Sequence, residues 1–341
     1  MSLLQTNHNP PCNITRASHI VLTSRDLAKA RDYYTEVIGL VVTDQDKNTV
    51  WLRGVEEIGH HSLTLKKTSG KPSCERIGFR MFQEEDLDKA KKHFDKSGIK
   101  AEWAEVPHQG KTLHVSDTIG TPLEFCATMK TLPRMQNSVH LHKGAGALRI
   151  DHYQVLSPDV LKSAKFYTDL GFRVSDYFVI PGTEIAIGCF MYRKDNPHDM
   201  VFLHRAGPVY HHAGYIVRDV HAMFKACDCA GNLGFGTSIE YGPGRHSLGH
   251  WYYTYLRDPD GHRTELLLPA VQMTDIDEVP GVWEAKEGFA VEAWGLPAQQ
   301  PWWEETSPFV GVEPVAPHAS GDPVTLEKWL ARRAEERKTK A

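Results

Sequence analysis

Several features that would assign a protein to a broad class are missing from this sequence. No apolar run approaches the roughly 18 residues that span a bilayer. The N-terminus lacks the basic and apolar segments of a signal peptide. The net charge is only −4, so no basic field would attract nucleic acid or an anionic membrane. We therefore expect a cytoplasmic protein without nucleic-acid or membrane partners.

Cysteine is scarce and irregularly spaced. The six cysteines form no CxxC pair, because Cys227 and Cys229 are separated by a single residue. This spacing predicts neither a zinc site nor a redox pair, and we expect free thiols in a reducing compartment. Hydrophobic residues make up 41% and charged residues 24% of the 341 positions, which is typical of a globular protein with two or three domains.

What the chain does contain is an internal repeat. The segment around His19 aligns with the segment around His152, and Asp26 aligns with Asp159 as the expected helix N-cap. Each segment predicts a short strand, an amphipathic helix and a glycine stop. Related half-units follow both segments. The sequence therefore predicts four copies of a strand–helix–strands module, at about 16–70, 74–129, 149–206 and 210–269.

The repeat also divides the chain into regions. The tail is rich in proline, tryptophan and acidic residues, and we expect it to extend over the surface and to end in a charged helix. The five expected regions are a flexible arm (1–14), an N-terminal domain (15–130), a linker (131–148), a C-terminal domain (149–269) and the tail (270–341).

Three potential metal ligands lie in the last two modules, two of them at matching places. His152 and His212 each lie near the start of a module, and Glu265 lies in an otherwise apolar final strand. A carboxylate in such a strand needs a cation, a metal ion or a proton. Equivalent strand positions meet where modules pair, so these residues predict a 2-His-1-carboxylate site. That ligand set suits Fe(II), with Mn(II) as the alternative.

The first half of the repeat has a different set at the same positions. The equivalents of the three ligands are His19, Arg76 and Glu124. A guanidinium does not bind metal, and we expect Arg76 to pair with Glu124 instead. The N-terminal domain is therefore predicted to be metal-free.

Three further residues are candidates for chemistry. His198 lies in a polar turn, His246 follows a Gly-Pro-Gly-Arg loop, and Tyr255 precedes an Asp-Pro-Asp-Gly turn. Taken alone, each of them also fits an ordinary loop or strand residue.

In combination, these residues resemble a known family. The motifs are Gly-Pro-Gly-Arg-His at 242–246 and Tyr-Leu-Arg-Asp-Pro-Asp-Gly-His-Arg-Thr-Glu at 255–265. They resemble type I extradiol catechol dioxygenases of the vicinal oxygen chelate superfamily, and most of all homoprotocatechuate 2,3-dioxygenases. The resemblance covers roughly residues 15–310. It implies an α+β fold of four βαβββ modules paired into two incomplete barrels, of which only the C-terminal one holds metal.

The resemblance also implies an activity and a set of roles. It implies cleavage of an aromatic diol by O2 to a muconate-semialdehyde-type product, in a homo-oligomer for which the family precedent is a homotetramer. It assigns the metal to His152, His212 and Glu265, acid–base catalysis to His198, and contacts to the substrate oxygens to His246 and Tyr255.

The chain departs from the homoprotocatechuate enzymes around the substrate. Tyr241 and Val291 stand where those enzymes have arginines, and Gln154 and Phe190 replace an asparagine and a tryptophan. Without two cationic anchors, a catechol that lacks a carboxylate side chain is favoured. Tyr241, Phe190 and Trp251 would form an apolar wall for it.

Other functions remain open at this stage. Homoprotocatechuate, another carboxylated catechol or a hydroquinone is an alternative substrate. A 4-hydroxyphenylpyruvate-type dioxygenase has a similar triad but lacks the histidine and tyrosine at these spacings. A metal-free small-molecule-binding protein of the same fold is the alternative from a different class, although it would not need the triad.

Overall fold

Each of the four sequence repeats folds into one strand, one helix and three further strands. This order confirms the predicted α+β fold of four βαβββ modules. The computed structural model describes residues 4–285, 292–318 and 323–340. The first two modules form an eight-stranded sheet, and the last two form an eleven-stranded sheet together with strands from the tail.

The N-terminal sheet contains modules 1 and 2. A π-helical turn over Tyr34–Ile38 extends the first helix. Module 1 consists of β1 (Ile14–Ser24), α1 (Leu27–Tyr33), β2 (Val41–Gln45), β3 (Thr49–Arg53) and β4 (Leu63–Lys67). Module 2 consists of β5 (Cys74–Met81), α2 (Glu84–Lys96), β6 (Ala101–Ala104), β7 (Thr112–Ser116) and β8 (Pro122–Cys126).

The C-terminal sheet contains modules 3 and 4. Short 3₁₀ turns over Val139–Leu141 and Gly236–Ser238 lie before and within this half. Module 3 consists of β9 (Arg149–Ser157), α3 (Val160–Asp169), β10 (Arg173–Val179), β11 (Ala186–Tyr192) and β12 (Met200–His204). Module 4 consists of β13 (Val209–Ile216), α4 (Val220–Asn232), β14 (Ile239–His246), β15 (Tyr252–Arg257) and β16 (Arg263–Leu267).

The helices begin and end where the sequence indicates. Asp26, Asp159 and Asp219 accept hydrogen bonds of 2.8–3.1 Å from backbone N–H groups in the first turns of α1, α3 and α4. Such caps satisfy donors that have no partner within the helix. Gly39 (φ 81°) and Gly171 (φ 87°) adopt the left-handed conformation soon after the first and third helices, which ends a helix at little steric cost. No helix in the described ranges has both the length and the apolar composition needed to span a membrane.

The central strands pair in equivalent registers in the two sheets. In the C-terminal sheet this register brings the candidate metal ligands together. β9 pairs antiparallel with β13, which puts His152 opposite Gly214. β13 pairs in parallel with β16, which puts Glu265 on the other side of Gly214. The residues in the same relation in the N-terminal sheet are His19, Gly78 and Glu124.

Reciprocal hydrogen bonds join the two halves. The Tyr34 hydroxyl donates to Asp258 across 3.1 Å, and the Tyr167 hydroxyl donates to Asp117 across 3.4 Å. All four side chains are buried, and they occupy equivalent positions of the repeat. The buried Tyr153 hydroxyl lies between two backbone carbonyls of β1 and β5, at 2.6 and 2.8 Å. The Tyr–Asp hydrogen bond thus occurs twice between the halves, and each half supplies one tyrosine and one aspartate.

The tail was expected to extend over the surface, but parts of it join the C-terminal sheet. Because β10 and β14 would otherwise be open edges with unpaired backbone groups, they offer pairing sites to the tail. β17 (Gly281–Glu284) pairs with β10, and β18 (Glu292–Trp294) pairs with β14. The remaining elements of the tail are α5 (Gln300–Glu304), β19 (Ser307–Pro308) on β13, and the expected terminal helix α6 (Leu326–Lys340).

The contacts between the halves lead to a stability prediction. Tyr34→Phe and Tyr167→Phe should each lower the free energy of unfolding by about 1–3 kcal/mol, because each leaves a buried carboxyl without one donor. Urea unfolding monitored by circular dichroism measures the effect. Tyr252→Phe is the control, because its half-buried hydroxyl accepts a hydrogen bond from Arg245 and contacts no buried carboxyl among the described residues. Equal stabilities for all three variants would contradict this account of the interface.

Candidate active site

The three predicted metal ligands meet within the C-terminal sheet. The Nε2 atoms of His152 and His212 are 3.2 Å apart, and they lie 3.1 and 3.2 Å from Oε2 of Glu265. All three side chains are buried. Metal–ligand bonds of roughly 2.1 Å at right angles place the ligand atoms roughly 3 Å apart. The triangle therefore has the size of one face of an octahedral site.

The second polar atom of each of these side chains is occupied by a neighbour, which leaves the inward atoms for an ion. Asp151 was not recognised from the sequence because adjacent strand residues point to opposite faces. The partners are Asp151 on Nδ1 of His152 (2.9 Å), His211 on Nδ1 of His212 (2.7 Å) and the Trp251 indole N–H on Oε1 of Glu265 (2.9 Å). This donor set fits a divalent ion such as Fe(II) or Mn(II).

The charges of the triad are coupled. Burial disfavours ionisation of Glu265, but the close contacts of its carboxylate with His152 and His212 hold its pKa well below the usual range. Burial lowers the pKa of His152, yet its bonds to Asp151 and Glu265 outweigh this and raise the pKa to about 9. Burial lowers the pKa of His212 to about 4. Without metal the cluster therefore holds a proton on His152, which a metal ion must displace.

His198 lies directly beside the triad. Its ring centroid is 4.2 Å from that of His152 and 4.9 Å from that of Trp251. Burial and the charge on His152 hold its pKa well below the usual range, so the ring is neutral. Its buried Nδ1 has no hydrogen-bond partner among the described residues. It thus offers an unused ring nitrogen beside the triad.

His246 and Tyr255 form a second pair next to the carboxylate. Nε2 of His246 is 3.2 Å from the Tyr255 hydroxyl and 3.8 Å from Oε1 of Glu265. The His246 ring stacks on Tyr253 at 3.9 Å. Burial lowers the pKa of His246 to about 4. A neutral imidazole and a phenol therefore face the same volume as the triad.

A cavity of about 240 Å³ opens in front of these groups. Gln154, Phe190 and Trp251, which we expected near the substrate, line it, and Nε2 of Gln154 has no partner there among the described residues. The tail closes it with side chains that sequence reasoning missed, because nothing in the repeat pattern indicates where the tail returns. These side chains include Trp302, Trp303, Trp329 and Arg332.

Tyr241 differs from the expectation for the apolar wall. It does not border the cavity but stacks behind Tyr255, with ring centroids 5.4 Å apart and 11° between the planes. Its hydroxyl donates to the carboxylate of Glu292, which does line the cavity. The wall at this point is therefore acidic rather than apolar. Val291, the other position of a missing arginine, lies outside the described residues.

Comparison with known proteins agrees with this geometry. The family model of the Glyoxalase/Bleomycin resistance protein/Dioxygenase superfamily matches residues 16–125 and 149–266. The chain belongs to this superfamily.

The similar members are ring-cleaving dioxygenases by name. A manganese-dependent 2,3-dihydroxybiphenyl 1,2-dioxygenase of Geobacillus genomosp. 3 is 26% identical over 84% of this chain and 96% of the relative. A metapyrocatechase of Pseudomonas sp. (strain CF600) is 24% identical over 80% of this chain and 92% of the relative. A solved structure of a mutant of homoprotocatechuate 2,3-dioxygenase from Brevibacterium fuscum has a TM-score of 0.88 and 30% identity, covering 94% of this chain and 90% of its own.

The N-terminal half of this superfamily member closes the equivalent position with hydrogen bonds. The predicted pairing of Arg76 with Glu124 is wrong. His19, His114 and Gln109 each contact the Glu124 carboxylate across 2.7 Å. His114 stands opposite Glu124 in the β7–β8 register, as Tyr255 stands opposite Glu265. A neighbouring imidazole thus takes the place expected for the guanidinium.

A second group of ligating side chains does not have metal-site geometry. Asp44, His60 and His108 approach one another in the N-terminal half. The rings of His60 and His108 stack with centroids 3.7 Å apart and only 9° between their planes. A metal ion must lie close to the plane of each ring that binds it. Two stacked parallel rings therefore cannot converge on one ion.

The strand register leads to a test of the triad. A Cβ atom added at Gly214 would lie 2.3 Å from Cε1 of His152, so Gly214→Ala should displace this ring. We expect metal affinity to fall at least about tenfold, as measured by Mn(II) titration. Gly231→Ala is the control, because a Cβ there meets no atom within 4 Å. Wild-type affinity in Gly214→Ala would show that the His152 ring need not occupy this position.

Proposed function

We propose that this protein is a metal-dependent extradiol dioxygenase that uses O2 to cleave the ring of a small aromatic diol beside its hydroxyl groups. The product would be of the muconate-semialdehyde type. The observation that carries the proposal is the 3.1–3.2 Å triangle of His152, His212 and Glu265, facing a cavity that His198 and Tyr255 also line. The names of the relatives support the reaction class.

The residues of the triangle would hold the metal through two Nε2 atoms and Oε2. When bound there, Fe(II), or Mn(II) as the alternative, would supply a Lewis acid with open positions for the diol and O2. The name of one relative describes it as manganese-dependent, which supports Mn(II) as the alternative ion. Asp151 orients His152 from behind, and Trp251 orients Glu265.

His198 would act as the acid–base group that transfers a substrate proton. Because it is neutral, it can accept a proton from a diol hydroxyl and return it later in the reaction. Its place beside His152 and its Nδ1, which has no hydrogen-bond partner in the described part of the chain, support this role. The packing of Phe190 and Trp251 against the ring holds it in position.

Tyr255 and His246 would orient the diol. Their 3.2 Å contact places a hydroxyl and an imidazole together beside Glu265, where they can hydrogen-bond a substrate oxygen. Fixing the reacting groups before the reaction lowers its entropic cost. The tail residues Trp302 and Trp329 line the same cavity and would exclude water from it.

The substrate is proposed to lack a carboxylate side chain. Glu292 lines the cavity and accepts a hydrogen bond from Tyr241, so an anionic substituent near it would meet a like charge. Two arginines, Arg205 and Arg332, also line the cavity. Selectivity for carboxylated catechols would therefore point to these arginines instead.

We also propose that the protein acts in the cytoplasm as a homo-oligomer. All six cysteines are unpaired, which fits a reducing compartment. Light scattering after size-exclusion chromatography measures the assembly, and a monomer would contradict this part of the proposal.

His198→Asn tests the acid–base role. The variant should keep its metal and its affinity for the diol, because His198 does not belong to the triangle. The rate of ring cleavage should fall by about 10²–10⁴-fold, the usual contribution of a positioned acid–base group. Metal analysis and anaerobic diol titration accompany the rate measurement. Unchanged turnover would remove His198 from the mechanism.

A panel of diols tests the substrate class. Iron- or manganese-loaded protein is mixed in air with 4-methylcatechol, 3,4-dihydroxyphenylacetate and hydroquinone, and the yellow ring-fission product is monitored. We expect the neutral catechol to be cleaved with the highest kcat/KM. Preference for 3,4-dihydroxyphenylacetate would contradict the proposed role of Glu292 but keep the reaction class. If the loaded protein cleaves none of the diols, a metal-free binding protein becomes the better explanation.

A further inference from the structure

We infer that His211 is a positioning residue that fixes which nitrogen of His212 faces the metal, and that the tail fixes His211 in turn. The link to the tail is the backbone carbonyl of Trp302. The inference rests on the proposed metal site, because it concerns the orientation of one of its ligands.

His211 bridges His212 and the tail through its two ring nitrogens. Its side chain is buried, with 1% of the residue exposed. Nδ1 of His211 is 2.7 Å from Nδ1 of His212, and Nε2 of His211 is 2.9 Å from the Trp302 carbonyl oxygen. Both distances are those of hydrogen bonds. Each nitrogen of His211 is therefore committed to one partner.

The protons on this bridge can be placed by counting donors and acceptors. A carbonyl oxygen only accepts, so Nε2 of His211 carries the proton in the bond to Trp302. The neutral His211 ring then has a bare Nδ1, which accepts a hydrogen bond from the N–H at Nδ1 of His212. His212 in its neutral form is consequently bare at Nε2, the nitrogen that faces Glu265 and the proposed ion. Arg263 donates to the backbone carbonyl of His211, and its positive charge disfavours protonation of the His211 ring.

The Trp302 carbonyl is available because of where it lies in the tail. It belongs to the last turn of α5, where carbonyl groups have no partner within the helix. The buried Arg263 holds this segment by donating to the Glu305 carbonyl across 3.1 Å. The Trp302 ring also packs on His211, with centroids 4.4 Å apart. Docking of α5 therefore supplies the acceptor that sets the tautomer of His211.

The two metal-binding histidines are thus held by different parts of the chain. His152 is oriented by Asp151, its neighbour in β9. His212 depends on His211 and, through it, on a segment about 90 residues away, as the 91-residue separation of His211 and Trp302 records. Ordering of the tail and affinity for the metal are coupled by this bond.

Substitutions at position 211 separate the two bonds. In His211→Asn the amide oxygen can take the place of Nδ1 and accept from His212, whereas in His211→Gln the amide reaches only towards Trp302. His211→Leu removes both contacts. We expect the Leu and Gln variants to bind Mn(II) 10–100-fold more weakly than the wild type, the range found when the partner of a metal ligand is lost. The Asn variant should stay within about threefold of the wild type, because the acceptor is restored.

The affinity is measured by electron paramagnetic resonance titration of Mn(II) into protein stripped of metal. His262→Leu is the matched control, because His262 is equally buried and also uses both nitrogens, on Ser307 and the Thr23 carbonyl. It should lose stability but keep its Mn(II) affinity. Wild-type affinity in the Leu or Gln variant, or a loss in the Asn variant equal to that in the Leu variant, would overturn the inference.

A measurement on the unmodified protein covers the case in which the variants do not fold. Nitrogen-15 NMR of the histidine rings in the metal-free protein should show the proton of His212 on Nδ1. A proton on Nε2 instead would contradict the proposed orientation. Failure of the wild type to bind any Mn(II) or Fe(II) would count against the proposed function itself, and so the two failures are distinguishable.

Discussion

The burial of the Glu265 carboxylate is the constraint on which the rest of the site depends. A carboxylate in an apolar strand is costly unless it is paired. The fold meets this requirement by bringing His152 and His212 from two neighbouring strands to within 3.2 Å of one oxygen. Gly214, which lies between His152 and Glu265 in the strand register, leaves room for the His152 ring. The site therefore follows from strand register, with Trp251 occupying the second carboxylate oxygen.

The N-terminal half solves the same problem in a different way. Its carboxylate, Glu124, is held by direct hydrogen bonds of 2.7 Å from His19, His114 and Gln109. In the C-terminal half, Oε2 of Glu265 lies 3.1–3.2 Å from the Nε2 atoms of its two histidines. Tyr255 takes the position of His114 and faces the cavity instead. The N-terminal half thus satisfies its buried carboxylate by internal hydrogen bonds, whereas the carboxylate of the C-terminal half lines a cavity.

The sequence could predict the part of the site that lies within the repeated modules. His152 and His212 occupy equivalent positions in the first strands of modules 3 and 4, Glu265 lies in the last strand of module 4, and the modules pair as their order indicates. The sequence could not reveal residues whose role depends on a local shift in strand pairing or on a distant segment. Asp151 and His211 each precede a ligand in a strand, where alternation assigns them to the opposite face.

The tail shows the same limit in a different form. The pairing of β17 and β18 follows from open sheet edges that exist only once modules 3 and 4 have folded. Tyr241 was expected on the cavity wall, but its hydroxyl donates to Glu292, a residue of this tail. The side chains that line the cavity are therefore partly supplied by a segment without a repeat pattern.

The most direct test of the account is anomalous diffraction at the iron edge from crystals grown without oxygen and soaked with a catechol. The account predicts one ion bonded to Nε2 of His152, Nε2 of His212 and Oε2 of Glu265, with both diol oxygens on its open side. An ion bound elsewhere, such as at Asp44, His60 and His108, or a catechol bound in the cavity without any ion, would contradict it.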